Sequence, residues 1–474
     1  MKHNIRRSLV STGVSTMTLV GLRVAIVMLL ARLLKPADFG VATACILVGS
    51  ITETLAVIGF TPSLVQRPTL GPATLPTAFT SGVALAVLGG GLLLACGNAA
   101  VAASGIEEVR PLLPLVCIGV ICRGFGATSS GILQRELNFR LLTTIEVVAF
   151  ITGNVLVCVP LALVAPGPSA LVIGSAVEAL TGAILLVCAR RPGSLLRFSW
   201  LEFTRLFRYS LSLHLARLAN FAMRNGDRWI VGRGLGPVTL GYYSRASQTA
   251  GTVETLFANV IGRVLFAGFS RIQDNLPLAR AAYLRTLGLL SVAAFPASAW
   301  LIVCADVVVR IVLGESWLVI QVPFQIVCAG LFFRICFNCM VNVCRSRGEV
   351  ASLVWYTWVC AAVTVSACLA LQRHGINALA SVGILVGICQ FVLFGRGVSA
   401  TLQLTVNRQF LVVLPGLAAG GVSWVALAAL RHVLDFTLPP HTSALTTALL
   451  GAVAIGTTAT YHWFRVARTF SAAA

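Results

Sequence analysis

The sequence predicts an all-α polytopic membrane protein with about fourteen transmembrane helices, arranged as two parallel six-helix lobes and two C-terminal helices. The first observation is composition: 57% of the 474 residues are hydrophobic and only 11% are charged. A soluble domain carries about 25% charged residues, so this chain needs lipid around it. The second is its apolar runs of about 20 residues, which suit membrane helices and lack the alternation of a membrane barrel. The third is an internal repeat.

Apolar runs long enough to cross a bilayer follow one another along the chain, joined by short connections. Proline or glycine marks many of these connections, as in Lys35-Pro36 and Pro439-Pro440, which is typical of turns. Polar residues interrupt the runs around 200–235 and 236–270, where the limits are least sharp. The predicted spans lie near 8–33, 38–64, 73–97, 110–130, 141–164, 168–189, 206–231, 236–268, 281–304, 317–343, 350–371, 376–395, 408–430 and 442–464.

Part of the first lobe returns 201 positions later without a gap. Residues 23–55 align with residues 224–256 at eight identical positions, where composition alone gives roughly two or three. Charges recur inside apolar runs, where a charge is costly. The identical pairs are Arg23/Arg224, Arg32/Arg233, Leu34/Leu235, Pro36/Pro237, Gly40/Gly241, Glu53/Glu254, Thr54/Thr255 and Leu55/Leu256.

The fourth span of each half also carries a repeated motif. Arg123 ends a segment of span 4 that recurs at an offset of 211, ending there at Arg334. Because six spans separate the copies, spans 1–6 and 7–12 are parallel repeats about an axis along the membrane normal. We therefore predict an N-terminal lobe at 1–189, a basic cytoplasmic linker at 190–205, a C-terminal lobe at 206–398, and two further helices with a short tail at 399–474.

The distribution of basic residues predicts the orientation, because cytoplasmic loops carry an excess of Lys and Arg. With the N-terminus inside, the inside segments hold 20 Lys and Arg residues and the outside loops hold 7. An even number of spans then places both termini in the cytoplasm. The net charge of +20 arises largely from these inside loops, so it does not indicate a nucleic-acid partner.

Span 7 has a strongly cationic face. On a helical projection centred on Arg217, five polar or charged side chains fall within about 60°, with Asp227 slightly further round. Lipid cannot solvate such a face, so it must face the bundle interior or a water-filled cavity. A milder polar stripe on span 1 consists of Ser8, Ser11, Thr12, Ser15, Thr16 and Arg23. The five side chains are Ser210, His214, Asn220, Arg224 and Arg228.

Two interpretations of these intramembrane charges stay open. A surplus of guanidinium groups suits an anionic ligand, because the planar fork binds phosphate oxygens in bidentate fashion. Alternatively, Arg and Glu pair between helices and the terminal Arg side chains reach the interface. For the acids Glu53, Glu254 and Asp227 the alternatives are a structural bond and ion coupling. The candidates for binding a diphosphate are Arg217, Arg224, Arg228, Arg23, Arg123, Arg334 and His214.

Nothing in the sequence indicates an enzyme. The six His residues are scattered, and no GxxxxGK[ST] loop indicates an ATPase. Cys336 and Cys339 form a CxxC spacing in a hydrophobic span with no His at ligand spacing, so packing is favoured over metal binding or redox chemistry. We predict no catalytic residue, no metal site and no cofactor.

Five motifs follow one another along the chain. They are ARLLKPADFG at 31–40, GFTPSLVQR at 59–67, LQRELNFR at 133–140, LGYYSRA at 240–246 and FSRIQD at 269–274. In this order they resemble the motifs of the Wzx-like polysaccharide exporters and flippases of the MOP superfamily. The resemblance extends from about residue 5 to at least residue 400.

This resemblance implies a particular transport function. It implies two six-helix lobes around a central cavity and alternating access in the bacterial inner membrane. The implied cargo is undecaprenyl-diphosphate-linked oligosaccharide for O-antigen, capsule or exopolysaccharide synthesis. An H⁺ or Na⁺ gradient would supply the energy, and the implied partners are membrane lipid, a polymerase and other polysaccharide-assembly proteins.

Three other functions were weighed against this one. A multidrug extruder of the same superfamily needs a more acidic cavity for cationic drugs, which is opposite to the surplus found here. A lipid II flippase shares the fold and the diphosphate chemistry, although the motifs fit it less well. A membrane scaffold has no need for repeated intramembrane charge.

Overall fold

The computed structural model describes residues 2–56, 60–67, 69–192, 198–271, 275–346, 350–437, 442 and 444–451. Every regular element in these ranges is helical, so the predicted all-α polytopic class is confirmed. Most of the predicted fourteenth span (442–464), and residues 193–197 of the predicted linker, lie outside the described residues.

Among the described residues up to 192, the chain forms nine α-helices. A 3₁₀ turn at Glu107–Leu112 leads into α6, and a π-helical stretch at Ile151–Cys158 joins α7 to α8. The helices are α1 (Lys2–Leu33), α2 (Pro36–Ala56), α3 (Thr61–Gln66), α4 (Thr74–Ala95), α5 (Gly97–Ser104), α6 (Leu113–Arg135), α7 (Phe139–Phe150), α8 (Val159–Val164) and α9 (Pro168–Ala189).

The second part begins with a 72-residue helical stretch that is broken at Gly236, whose φ is 80° and ψ is 179°. Short 3₁₀ turns at Glu315–Ile320 and Gln372–His374 precede α13 and α16. The helices are α10 (Trp200–Arg271), α11 (Leu276–Val303), α12 (Ala305–Val312), α13 (Gln321–Ala329), α14 (Leu331–Ser346), α15 (Val350–Leu371), α16 (Gly375–Leu402) and α17 (Val406–Thr437).

Ten of the first thirteen predicted spans fall on one long helix or on half of one. The other three are divided: 38–64 covers α2 and α3, 141–164 covers α7, the π-helical stretch and α8, and 317–343 covers a 3₁₀ turn, α13 and α14. Among the described residues, eight helical stretches are long and apolar enough to cross a membrane, or nine with the bent pair α13–α14. One of the eight, Ser352–Leu402, contains two predicted spans. α1 and α10 are not among the eight. They carry Arg23 and the arginines of span 7, so the two helices with these predicted site residues fall below the apolarity of the eight.

The contacts divide the chain into two compact units, Met1–Ser244 and Arg245–Ala474. In the first unit α6 packs against α4 and α9, and Phe60, Leu64 and Leu206 belong to a buried cluster. In the second unit α11 packs along α17. Gly416 and Gly420 let the two backbones approach there, because an added Cβ would lie 2.3–2.6 Å from atoms of α11.

Within the first unit the two copies of the repeated Pro-x-x-x-Gly motif touch each other. An added Cβ on Gly40 would lie 1.8 Å from the carbonyl oxygen of Pro237. Reciprocally, a Cβ on Gly241 would lie 1.9 Å from the carbonyl oxygen of Pro36. Only glycine allows backbones to come this close. We call this reciprocal contact of Pro36, Gly40, Pro237 and Gly241 the proline–glycine clasp.

Candidate functional site

The predicted cationic face of α10 lies in the first unit. Arg217 and Arg224 are exposed and Arg228 is half-buried. Arg224 and Arg228 follow Arg217 by seven and eleven residues, so both lie within about 20° of it on the helical projection. The three arginines extend along roughly 16 Å of helix. His214 and Ser210, further toward the start of α10, are buried at 8% and 2% exposure. The accessible face is therefore a ladder of three guanidinium groups.

Asp227, the acid that lies among these arginines, is already engaged. The hydroxyl of Tyr243 donates to Oδ2 of Asp227 at 2.7 Å, and the backbone N–H of Arg228 donates to Oδ1 at 2.8 Å. Nη1 of Arg228 approaches Oδ1 of Asn225 at 3.4 Å. No ion pair joins Arg217 or Arg224 to a carboxylate in the part of the chain that the structure describes. The positive charge of the ladder is thus not cancelled locally.

Arg217 also lines a cavity of about 610 Å³, a size that suits a small ligand. Arg217 is the charged residue of this lining, and the other lining side chains are uncharged. Such a lining, in which amides alternate with apolar surface, suits an anionic group attached to a polar molecule. The lining residues are Thr61, Pro62, Val65, Gln66, Gln134 and Arg217.

The repeated glutamates and arginines pair with each other, once in each unit. In the first unit Nη1 of Arg123 lies 3.1 Å from Oε2 of Glu53, which joins α6 to α2. In the second unit Nε of Arg334 lies 3.6 Å from Oε2 of Glu254, which joins α14 to α10. The amide of Asn338 also approaches Oε1 of Glu254 at 3.4 Å. Four predicted site residues thus form two equivalent pairs.

Arg23, the counterpart of Arg224, has a different environment. Its guanidinium carbon lies 5.5 Å from the centroid of the Phe150 ring, within the range of a cation–π interaction. The side chain remains exposed. The side chains of the predicted polar stripe at 8–16 on α1 lie outside the described residues. The two copies of this arginine are therefore not equivalent in the structure.

A polar network surrounds the start of α10 and was not predicted as a unit. Glu202 accepts hydrogen bonds from Arg67 at 2.9 Å, Arg205 at 2.9 Å and Thr74 at 3.1 Å. Burial raises the pKa of the Glu202 carboxyl, but these hydrogen bonds and the charge of Arg67 lower it by more. The pKa is therefore below its usual value of 4.5. Arg135 donates to the backbone carbonyls of Leu64 and Arg67. The motifs at 59–67 and 133–140 therefore meet here.

The cysteines of the CxxC spacing lie in the packed interior. Cys336 is 0% exposed and Cys339 is 2% exposed, and neither forms a disulfide. Among the described residues no group of three or more His, Cys, Asp or Glu side chains could hold a metal ion.

The fold defines a polytopic helical membrane protein. A sequence model of the family described as polysaccharide biosynthesis protein matches residues 29–322. The chain belongs to this family, so the predicted Wzx-like polysaccharide family is confirmed. It is a transporter and not an enzyme.

Individual relatives and structures agree with this assignment. The lipopolysaccharide biosynthesis protein WzxC of Escherichia coli is 25% identical over 72% of this chain and 69% of its own. The succinoglycan biosynthesis transport protein ExoT of Rhizobium meliloti is 22% identical over 73% and 70%. The inward closed structure of the lipid II flippase MurJ is similar with a TM-score of 0.75, 13% identity, and coverage of 96% and 99%, which is a likeness of fold.

Sequence reasoning found the charged residues but not all of their partners. It did not predict that Arg23 contacts the ring of Phe150 or that the hydroxyl of Tyr243 donates to Asp227. It treated Pro36 and Gly40 as a turn and did not see the clasp. The ungapped offset of 201 was a signal for the clasp, since repeats related by an axis bring equivalent residues together near that axis. Nothing in the sequence pattern indicated Phe150.

Proposed function

We propose that this protein moves an undecaprenyl-diphosphate-linked oligosaccharide from the cytoplasmic to the outer face of the inner membrane by alternating access. The product would serve O-antigen, capsule or exopolysaccharide synthesis. The observation that carries the proposal is the ladder Arg217, Arg224 and Arg228, because its charge is accessible and Asp227 is already engaged by Tyr243. The relatives named for lipopolysaccharide and succinoglycan biosynthesis support the cargo class.

The chemistry of the cargo fits the ladder. Guanidinium groups bind phosphate oxygens as charge-assisted pairs. The ladder extends over about 16 Å, roughly half of the 30 Å hydrocarbon core. A diphosphate can therefore exchange between neighbouring arginines as it crosses. The prenyl tail stays in lipid, since exposing each CH₂ group to water costs about 0.8 kcal/mol.

The arginines also distinguish this cargo from the alternatives. A cationic drug is repelled by a lining with surplus positive charge. Lipid II presents the same diphosphate chemistry, so the ladder alone does not separate it from other lipid-linked saccharides. The family match and the two named biosynthetic relatives favour an oligosaccharide for a surface polymer.

The test uses a strain that lacks the gene and carries Arg217→Glu with Arg224→Glu. Each lost charge-assisted contact is worth about 1.5–3 kcal/mol, so we expect at least a tenfold loss of surface polysaccharide and accumulation of its lipid-linked precursor. Arg373→Glu is the matched control, because it reverses an exposed arginine on a different element. Unchanged export by the double variant at normal protein level would contradict the proposed site. Accumulation of peptidoglycan precursor instead would assign lipid II as cargo.

A further inference from the structure

The two ion pairs Glu53–Arg123 and Glu254–Arg334 are conserved within the chain by its own repeat. The glutamates are 201 positions apart and the arginines are 211 positions apart. The members of each pair lie on different helices, yet each unit brings its own copies together. The internal repeat has therefore kept an interaction, in addition to individual residues.

Neither pair uses the full capacity of its arginine. A guanidinium has five N–H donors. The Arg123 side chain is 46% exposed and that of Glu53 is 36% exposed. In the second unit Nη1 of Arg334 is buried with no hydrogen-bond partner, and Nε lies at a long 3.6 Å from Glu254. Each arginine thus keeps N–H groups that can bind another acceptor.

A pair that fastens two helices looks different in this protein. Arg431 on α17 binds Asp306 on α12 with both nitrogens of its fork, at 2.8 and 2.6 Å to the two carboxylate oxygens. It also donates to the backbone carbonyl of Val303. That guanidinium is engaged by three acceptors. In the Glu53–Arg123 and Glu254–Arg334 pairs each arginine makes a single, longer contact with its glutamate. Their arginine side chains are also more exposed, at 46% and 34% against 26% for Arg431, so these guanidinium groups can exchange partners more easily.

We propose that Glu53 and Glu254 are placeholders for the cargo diphosphate on Arg123 and Arg334. This inference rests on the proposed function. A carboxylate and a phosphate offer a guanidinium the same kind of acceptor, and a diphosphate carries more charge. When cargo reaches either arginine, a phosphate replaces the carboxylate on that arginine. When cargo leaves, the carboxylate returns, and the intramembrane arginine is never left unpaired, which would be costly.

The two partners of a placeholder pair have opposite effects on binding, which separates this role from a helix fastener. Removing the charge of Glu53 or Glu254 takes away a competitor, so a diphosphate binds more tightly. Removing the charge of Arg123 or Arg334 takes away the receptor, so it binds more weakly. If the pairs only fasten helices, removing either partner loosens the same contact, and both substitutions act in the same direction.

The experiment measures binding to the full-length protein in nanodiscs, using the fluorescence of its tryptophans. The probe is farnesyl diphosphate, with farnesol as the uncharged counterpart and inorganic pyrophosphate as the tail-free anion. We expect Glu53→Gln to tighten farnesyl diphosphate binding about two- to fivefold, the range typical of an exposed pair. Glu254→Gln should tighten it more, since that side chain is only 14% exposed. Arg123→Gln and Arg334→Gln should weaken it.

Glu136→Gln is the matched control. Glu136 pairs with Arg190 at 2.8 Å, with side-chain exposures of 39% and 44% that resemble those of Glu53 and Arg123. This pair is not part of the repeat, so binding should stay unchanged. Arg123→Lys keeps the charge and should retain part of the binding, which guards against misfolding of Arg123→Gln.

The outcomes separate this inference from the proposed function. Shifts of Glu53→Gln and Arg123→Gln in the same direction would overturn the placeholder role, as would a shift of Glu136→Gln equal to that of Glu53→Gln. Pyrophosphate bound as tightly as farnesyl diphosphate would overturn the assignment to a lipid-linked cargo. Wild-type protein that binds farnesol and farnesyl diphosphate equally well would contradict the proposed function itself.

Discussion

Replacing Gly40 or Gly241 by alanine tests the proline–glycine clasp. A Cβ on Gly40 would meet the oxygen of Pro237 at 1.8 Å, whereas real Cβ contacts essentially never fall below 3.0 Å. The two backbones must therefore separate by at least about 1.2 Å. Overpacking typically costs about 1–3 kcal/mol, and a backbone oxygen cannot rotate away as a side chain can. We expect Gly40→Ala and Gly241→Ala each to lie near the upper end of this range.

The reciprocal geometry predicts that the two costs do not add. Once the helices have separated to admit one methyl group, the second meets less resistance, so the double variant should be destabilised by clearly less than the sum of the single variants. The assay is thermal unfolding of the purified protein followed by tryptophan fluorescence, together with surface polysaccharide in cells. Gly91→Ala and Gly383→Ala are controls, because nothing lies within 4 Å of a Cβ at either position.

Two results would refute this reasoning. Wild-type unfolding temperatures for both single variants would show that the backbones are not in contact. Additive losses in the double variant would show that the two glycines do not share one contact.

Three further predictions address other parts of the chain. Gly236→Ala should destabilise the protein by about 1–3 kcal/mol in thermal unfolding, because a φ of 80° is a conformation open essentially to glycine. Steric crowding is not the cause, since no atom lies within 4 Å of a Cβ added there. An unchanged melting temperature would contradict the break in α10. Asp306→Asn should cost about 1–3 kcal/mol, because it removes the carboxylate that binds two nitrogens of Arg431 and leaves only the Asp435 carboxylate at 3.8 Å. Glu315→Gln, which affects a more exposed pair, should cost less. Because its folded pKa is lowered, Glu202 adds stability that is fully present above its unfolded pKa of about 4.5 and lost as pH falls through the folded pKa. Glu202→Gln should therefore be less stable than wild type at pH 7, and this difference in stability should disappear in acid. A difference that does not depend on pH would contradict the role of the Glu202 charge.

The membrane helices could be predicted closely where the sequence is uniformly apolar. The predicted spans at 168–189 and 350–371 coincide with α9 and α15, because proline or polar residues flank long hydrophobic runs there. The short elements could not be predicted in the same way. The π-helical stretch at Ile151–Cys158 lies inside one apolar run, and composition does not distinguish it from the α-helix on either side.

The candidate site, too, could be predicted only in part. Helical periodicity placed Arg217, Arg224 and Arg228 on one face, and the structure leaves that face accessible. It also placed His214 there, which neighbouring helices bury; periodicity gives the direction of a side chain but not what packs over it. The repeat identified Glu53 and Arg123 as notable charges, but their pairing depends on how α2 meets α6. A single sequence does not contain that distance.

The central claim is tested most directly by measuring how much lipid-linked oligosaccharide reaches the outer face of the membrane. Spheroplasts that contain or lack the protein would be treated with a membrane-impermeant glycosidase, and the fraction of lipid-linked oligosaccharide cleaved would be measured. We predict that cleavage requires the protein and falls to the level of the deletion strain with Arg217→Glu and Arg224→Glu. Equal cleavage with and without the protein would contradict its role as the flippase for this lipid.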